Sequence, residues 1–118
     1  MGHIYIKRVY EAPEKEDGYR ILVDRLWPRG IKKEDLPINE WNKLITPSPD
    51  LRKWFNHQED HFSKFAEDYR KELDLQTDEL KRIKQLSLTQ NVTLLFAAKS
   101  KIINHAVILK DKIDEQAI

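Results

Sequence analysis

Tyr19-Arg20-Ile21-Leu22-Val23-Asp24-Arg25-Leu26, running on into Trp27-Pro28-Arg29-Gly30, sets the architecture of this chain. Its centre, Ile21-Leu22-Val23, is apolar without alternation, the pattern of a strand covered on both faces in a parallel sheet. A strand is expected over Tyr19–Leu26. It ends where Pro28 withdraws a backbone donor and Gly30 supplies a turn. Packing explains the apolar centre but gives little reason for Asp24, Arg25, Trp27 and Arg29 so close together. A strand that turns charged this abruptly builds either a site or a rigid charged corner.

Working outward, His3–Tyr10 alternates, with Ile4 and Ile6 on one face and Tyr5, Lys7 and Val9 on the other, as a strand does. Ala12–Gly18 is a polar loop, and Asn91–Ala97 (NVTLLFA) is a further apolar strand. Between them, Lys33–Pro37 reads as a turn and Glu40–Ile45 as a short helix. Ser48 is an N-cap with Pro49 at the first helical position, ahead of a helix over Asp50–His57 with Leu51, Trp54 and Phe55 on one side. Phe62, Phe65, Ala66, Tyr69 and Leu73 recur at helical spacing within Glu59–Leu73. Thr77 caps another helix, with Leu80, Ile83 and Leu86 or Leu88 inward, and Ala106, Leu109 and Ile113 form the stripe of the last one.

Doubly apolar strands alternating with amphipathic helices indicate an α/β fold. The expectation is a small, mainly parallel sheet of three strands covered by helices, with room for a short fourth in the irregular stretch. The 118 residues suffice for a single domain over residues 1–118.

Lys plus Arg number 21 and Asp plus Glu 20, so the net charge is +1. That balance argues against holding nucleic acid by bulk charge, though it allows a local basic patch. The absence of cysteine excludes disulfides, thiolate catalysis and cysteine-ligated zinc. No apolar run reaches membrane-spanning length and no signal peptide is visible, so a cytoplasmic protein without membrane contact is expected. With 3 glycines and no phosphate loop, nucleophile elbow or metal signature, no cofactor and no metal are expected.

In open α/β sheets ligands bind beyond the carboxyl ends of the strands. Those ends lie near Arg8–Tyr10, Asp24–Gly30 and Ala98–Ser100. Parallel strands would gather Arg8, Asp24, Arg25, Arg29 and Lys99 at one edge, with Asn104 and His105 at the start of the last helix. On a functional reading Arg25 or Arg29 clamps a phosphate or carboxylate, Trp27 is an aromatic platform, and Asp24 with His105 supplies acid–base chemistry. On a structural reading Asp24 pairs with Arg25, Arg29 or Arg8 to fix the corner, and Trp27 fills core. His57, Asp60 and His61 have metal-like spacing but lie in a solvated helix start. Trp41, Trp54, Phe55, Phe62, Phe65 and Tyr69 read as core, and Ser48 as a cap rather than a nucleophile.

These residues carry a family resemblance. Arg8-Val9-Tyr10, Val23–Gly30, Trp41, Pro47-Ser48 with Leu51-Arg52, Phe65 with Tyr69 and Glu72-Leu73, Thr93–Lys99 and Asn104-His105-Ala106 together resemble family 488 of the domains of unknown function, in its small YeaO-like branch. The resemblance covers nearly the whole length and implies a compact α/β fold of bacterial type, with no established activity. It also implies cysteines in other branches around the positions of Phe96 and Asn104, where this chain has none. Any acid–base role then falls on Asp24, the arginines and Lys99. The expected function is binding of, or action on, an anionic small molecule at the strand ends. The alternative is a nucleic-acid or protein binding module using Arg25, Arg29, Lys32 and Lys33, with the Asp24–Gly30 motif mainly structural.

Overall fold

The computed structural model describes residues 2–117. Four strands, β1 (Ile4–Arg8), β2 (Tyr19–Leu22), β3 (Glu40–Trp41) and β4 (Val92–Phe96), form an all-parallel sheet in the order β1-β4-β2-β3. β4 lies between β1 and β2, with Leu95 aligned to Lys7 on one side and Leu22 on the other. Every residue of β4 is buried, which explains its unbroken apolar run. Thr93, the polar exception, donates its hydroxyl to the Asp17 carbonyl at 2.7 Å.

The two faces are covered by different means. The link from β3 to β4 carries α1 (Pro49–Phe55), α2 (Phe62–Leu73) and α3 (Thr77–Leu86), and α4 (His105–Asp114) follows β4. Ile21, Val23, Leu94 and Phe96 pack with Phe65, Tyr69, Leu80, Ile83 and Leu109 in the larger core. Period-two alternation sends their neighbours to the other side. There Leu22 and Leu95 join Val9 and Leu36, against which Trp27, Ile31, Ile38 and Trp41 pack. Among the described residues no α-helix contributes to this smaller core. The residue 23–39 loop closes it, so the charged turn after β2 is also a lid over the sheet.

The β1-to-β2 crossover occupies residues 9–18, fewer than the dozen or more that parallel strands usually need. An ionic cluster holds it down. Lys7 bonds Glu14 at 2.9 Å and Asp17 at 3.0 Å, Asp17 also pairs with Arg20, and the Arg20 Nε donates to the Pro37 carbonyl at 2.7 Å.

Some local expectations change. The fourth strand is β3, and it takes the start of Glu40–Ile45, which was expected to be helix. Long-range partners override the local pattern: Glu40 accepts from Tyr19 at 2.7 Å and from Arg82 at 2.7 Å, while Asn42 donates to Glu79 at 2.8 Å. β2 ends at Leu22, earlier than its apolar pattern implied. Ser48 caps α1 as expected, accepting from Leu51 at 3.2 Å. Thr77 does not cap α3; it is the first helical residue, and its hydroxyl donates to the Asp74 carbonyl. Trp54 lies outside the core, 44% exposed and stacked on His61. Among the described residues no helix is long and apolar enough to cross a membrane.

Candidate functional site

Val23 N–H still bonds the Leu95 carbonyl at 3.0 Å after β2 has formally ended. One residue on, the pairing passes from backbone to side chain. Asp24 Oδ2 accepts the backbone N–H of Ala97 at 2.9 Å, and the Asp24 carbonyl accepts from the Trp41 indole at 2.6 Å. His105, the first residue of α4, places Nε2 at 2.8 Å from the Val23 carbonyl and 3.3 Å from Asp24 Oδ1. A carbonyl only accepts, so Nε2 carries the proton and, in the neutral ring, Nδ1 is the acceptor. Asp24 and His105 are thus brought together, each engaged on backbone.

A cleft of about 990 Å³ opens over these strand ends. Asp24, Arg25, Trp27, Arg29, Lys99, Asn104 and His105 all line it, so the strand-end rule gathers most of the expected set. Arg25 lies against the Pro47 carbonyl, Nη2 at 3.2 Å, and its buried Nε makes no hydrogen bond, nor does Asp24 Oδ1 beyond its 3.3 Å approach to His105. Arg29 and Lys99 are exposed.

Three expected ligand residues have other work. Arg8 is not among the cleft-lining residues; its Nε donates to the Ala98 carbonyl at 2.9 Å, tying the end of β1 to the chain leaving β4. Asn104 is 1% exposed and caps α4, accepting from Val107 N–H at 3.1 Å while donating to the Ser100 carbonyl at 2.9 Å. Trp27 borders the cleft, but its indole donates to the Ile31 carbonyl at 2.6 Å and meets Trp41 edge-on at 5.5 Å. It anchors the loop that covers the second core.

Arg52 and Lys53 of α1, and Tyr10 after β1, line the cleft although none of them is an expected site residue. The spacing of buried Leu51 and Phe55 shows that Arg52 and Lys53 face away from the core. That they turn toward the β2 loop depends on the path of α1, which no local pattern encodes. Among the described residues no group of three or more His, Cys, Asp or Glu side chains could hold a metal. His61 instead stacks on Trp54 at 4.4 Å, and His57 lines the cleft in a left-handed conformation, φ 56°.

Five cations, Arg25, Arg29, Arg52, Lys53 and Lys99, therefore border the cleft against two carboxylates, Asp24 and Glu59. None of the five makes a salt bridge among the described residues, whereas Lys7, Arg20, Arg70, Arg82 and Lys112 elsewhere are all paired. The arrangement offers unneutralised positive charge at a concave surface, with a carboxylate–imidazole pair committed to the backbone at its root.

A family model described as the inactive DUF488-N3 subclade matches residues 3–118. The chain is 50% identical over 109 residues to the uncharacterised protein YeaO of Escherichia coli K12, covering 92% of this chain and 95% of that one. It is 38% identical over 106 residues to the uncharacterised protein Rv3073c of Mycobacterium tuberculosis H37Rv, covering 90% and 89% respectively. No solved structure gives a significant match. The chain belongs to the DUF488 family, in the branch described as its inactive N3 subclade.

Proposed function

We propose that this chain is a non-catalytic binding protein for a small anionic ligand, taken up in the strand-end cleft. One observation carries the reading: five unpaired cations surround a cleft of about 990 Å³, in a chain whose net charge is +1. A volume of that order suits a small molecule. Guanidinium forks suit phosphate or carboxylate oxygens, and their fields strengthen where protein walls displace water.

Two features favour binding over turnover. The family model is described as inactive. The residues best suited to proton transfer, Asp24 and His105, hold the backbone of Ala97 and Val23. Each spends one polar atom on the sheet, so the pair has a structural task that accounts for its presence without a reaction. The concave site also favours a small ligand over a nucleic-acid duplex, for which a projecting basic element is the usual reader.

Isothermal titration with inorganic pyrophosphate, tripolyphosphate and citrate tests the proposal. Binding should weaken as salt rises, and the Arg29→Ala, Lys99→Ala double variant should lose roughly ten-fold or more in affinity at unchanged stability. Failure of all three anions to bind at low salt would overturn it, as would equal binding by the double variant.

A further inference from the structure

Tyr10 stands where β1 has ended, and it lines the cleft while 49% exposed. An exposed tyrosine normally keeps its rotamer freedom, and ordering it costs entropy. This one is held twice. The Arg8 guanidinium lies 5.0 Å from the ring centroid, and the phenol donates to the Arg29 carbonyl at 3.0 Å. Arg8 is itself fixed by the Ala98 carbonyl at 2.9 Å, and its backbone N–H by Glu11 at 2.8 Å. Arg8 does not line the cleft and Tyr10 does, so the guanidinium holds the ring without itself facing the ligand space.

The result is a pre-set aromatic surface whose hydroxyl touches the backbone of one of the unpaired cations. Such preorganisation lowers the cost of binding a flat ring. Trp27 also lines the cleft, but it packs against the second core.

Resting on the anion-binding reading above, we propose that the cleft's ligand is a nucleoside phosphate whose base stacks on Tyr10 and whose phosphates lie against Arg29 and Lys99. A π-face beside cations matches the two halves of such a ligand, and stacking accepts any base. Tyr10 is then a ligand-binding residue, with Arg8 as its positioning residue.

The test compares ADP, GDP, CDP and UDP with pyrophosphate and ribose 5-phosphate by isothermal titration, on wild type, Tyr10→Leu and Tyr10→Phe. The nucleoside diphosphates should bind about ten-fold more tightly than pyrophosphate or ribose 5-phosphate. Tyr10→Leu should remove that advantage while leaving pyrophosphate affinity unchanged, and Tyr10→Phe should keep most of it. If pyrophosphate binds as tightly as the diphosphates, or Tyr10→Leu weakens both alike, the nucleotide proposal is overturned while anion binding stands. If ribose 5-phosphate matches the nucleotides, the stacking role is overturned. If no probe binds, both readings fall together.

Discussion

Asp24 Oδ2 accepts the backbone N–H of Ala97 at 2.9 Å, so a carboxylate continues the β2–β4 ladder after the β2 backbone has turned away. The bond is strong because one partner is charged, and it closes a gap that would leave an amide without an acceptor. The Trp41 indole and the His105 imidazole brace the same corner through the Asp24 and Val23 carbonyls.

Removing the carboxylate therefore exposes the cost of an unsatisfied amide. Asp24→Ala should destabilise the fold by roughly 1–3 kcal/mol. Asp24→Asn, whose amide oxygen still accepts from Ala97, should recover part of that loss. Urea unfolding of the two variants measures both. Equal stability of Asp24→Ala and wild type would show that the ladder does not depend on this side chain.

Acid should unfold the protein in part through Glu40. Burial pushes its carboxyl up, but hydrogen bonds from Arg82, Tyr19 and Asn42 outweigh burial and hold its pKa below the ordinary 4.5. Asp17 follows the same logic: burial is opposed by the Glu14 N–H and by Lys7 and Arg20, with a net lowering. A carboxylate with a depressed folded pKa binds fewer protons than in the unfolded chain. Its stabilisation is present above the unfolded pKa and is lost as pH falls through the folded value. Unfolding midpoints measured from about pH 6 down to about pH 3 should fall in wild type. Glu40→Gln should start lower and fall less steeply. Parallel profiles would contradict the assignment.

The parts of this fold that could be read from sequence are those fixed by local periodicity. β1, the Ile21-Leu22-Val23 strand, β4 and the stripes of α2, α3 and α4 all follow from residues within a few positions of each other. β3 escaped because its identity is settled by Arg82 and Tyr19, far away in the chain. The covering of the second face by a loop escaped for a related reason: Trp27, Ile31 and Leu36 have no regular spacing. At the site, the strand-end rule assembled Asp24, Arg25, Arg29, Lys99 and His105 without knowledge of strand order. Arg8 falls outside the cleft lining, and the polar atoms of Arg8 and Asn104 satisfy backbone groups, a demand that sequence shows only once the ends of β4 and α4 are placed.

Tyr69 should behave as a reporter of the intact core. Its phenol is fully buried and donates to the Ile45 carbonyl at 2.5 Å. Burial, reinforced by the charges of Glu72 and Asp24, raises its pKa well above the ordinary 10.0. A raised folded pKa gives stability that is present below the unfolded value and is lost as pH rises through the folded one. Alkaline titration followed by ultraviolet absorbance should show no Tyr69 phenolate until the protein unfolds. The native-range amplitude of Tyr69→Phe should therefore equal that of wild type. A smaller amplitude in the variant before unfolding would show that Tyr69 ionises within the fold. The same variant leaves the Ile45 carbonyl unpaired and should cost about 1–3 kcal/mol in urea unfolding.

Gly18 and Gly30 share a positive φ, 64° and 79°, but sit in opposite surroundings, and alanine should separate them. A Cβ on Gly18 would lie 2.2 Å from the Asn91 carbonyl oxygen, against backbone that is itself bonded to Tyr19 N–H at 2.8 Å. Neither side can give way without loosening the start of β2. A Cβ on Gly30 would meet nothing within 4 Å, so Gly30→Ala bears the conformational cost alone, about 1–2 kcal/mol. Gly18→Ala should cost clearly more than Gly30→Ala in urea unfolding, because the steric clash adds to the strain of a positive φ. Gly30→Asn should recover much of the Gly30→Ala loss, since asparagine tolerates this region. Equal losses at the two glycines would show that the close approach of Gly18 to Asn91 does not constrain the fold.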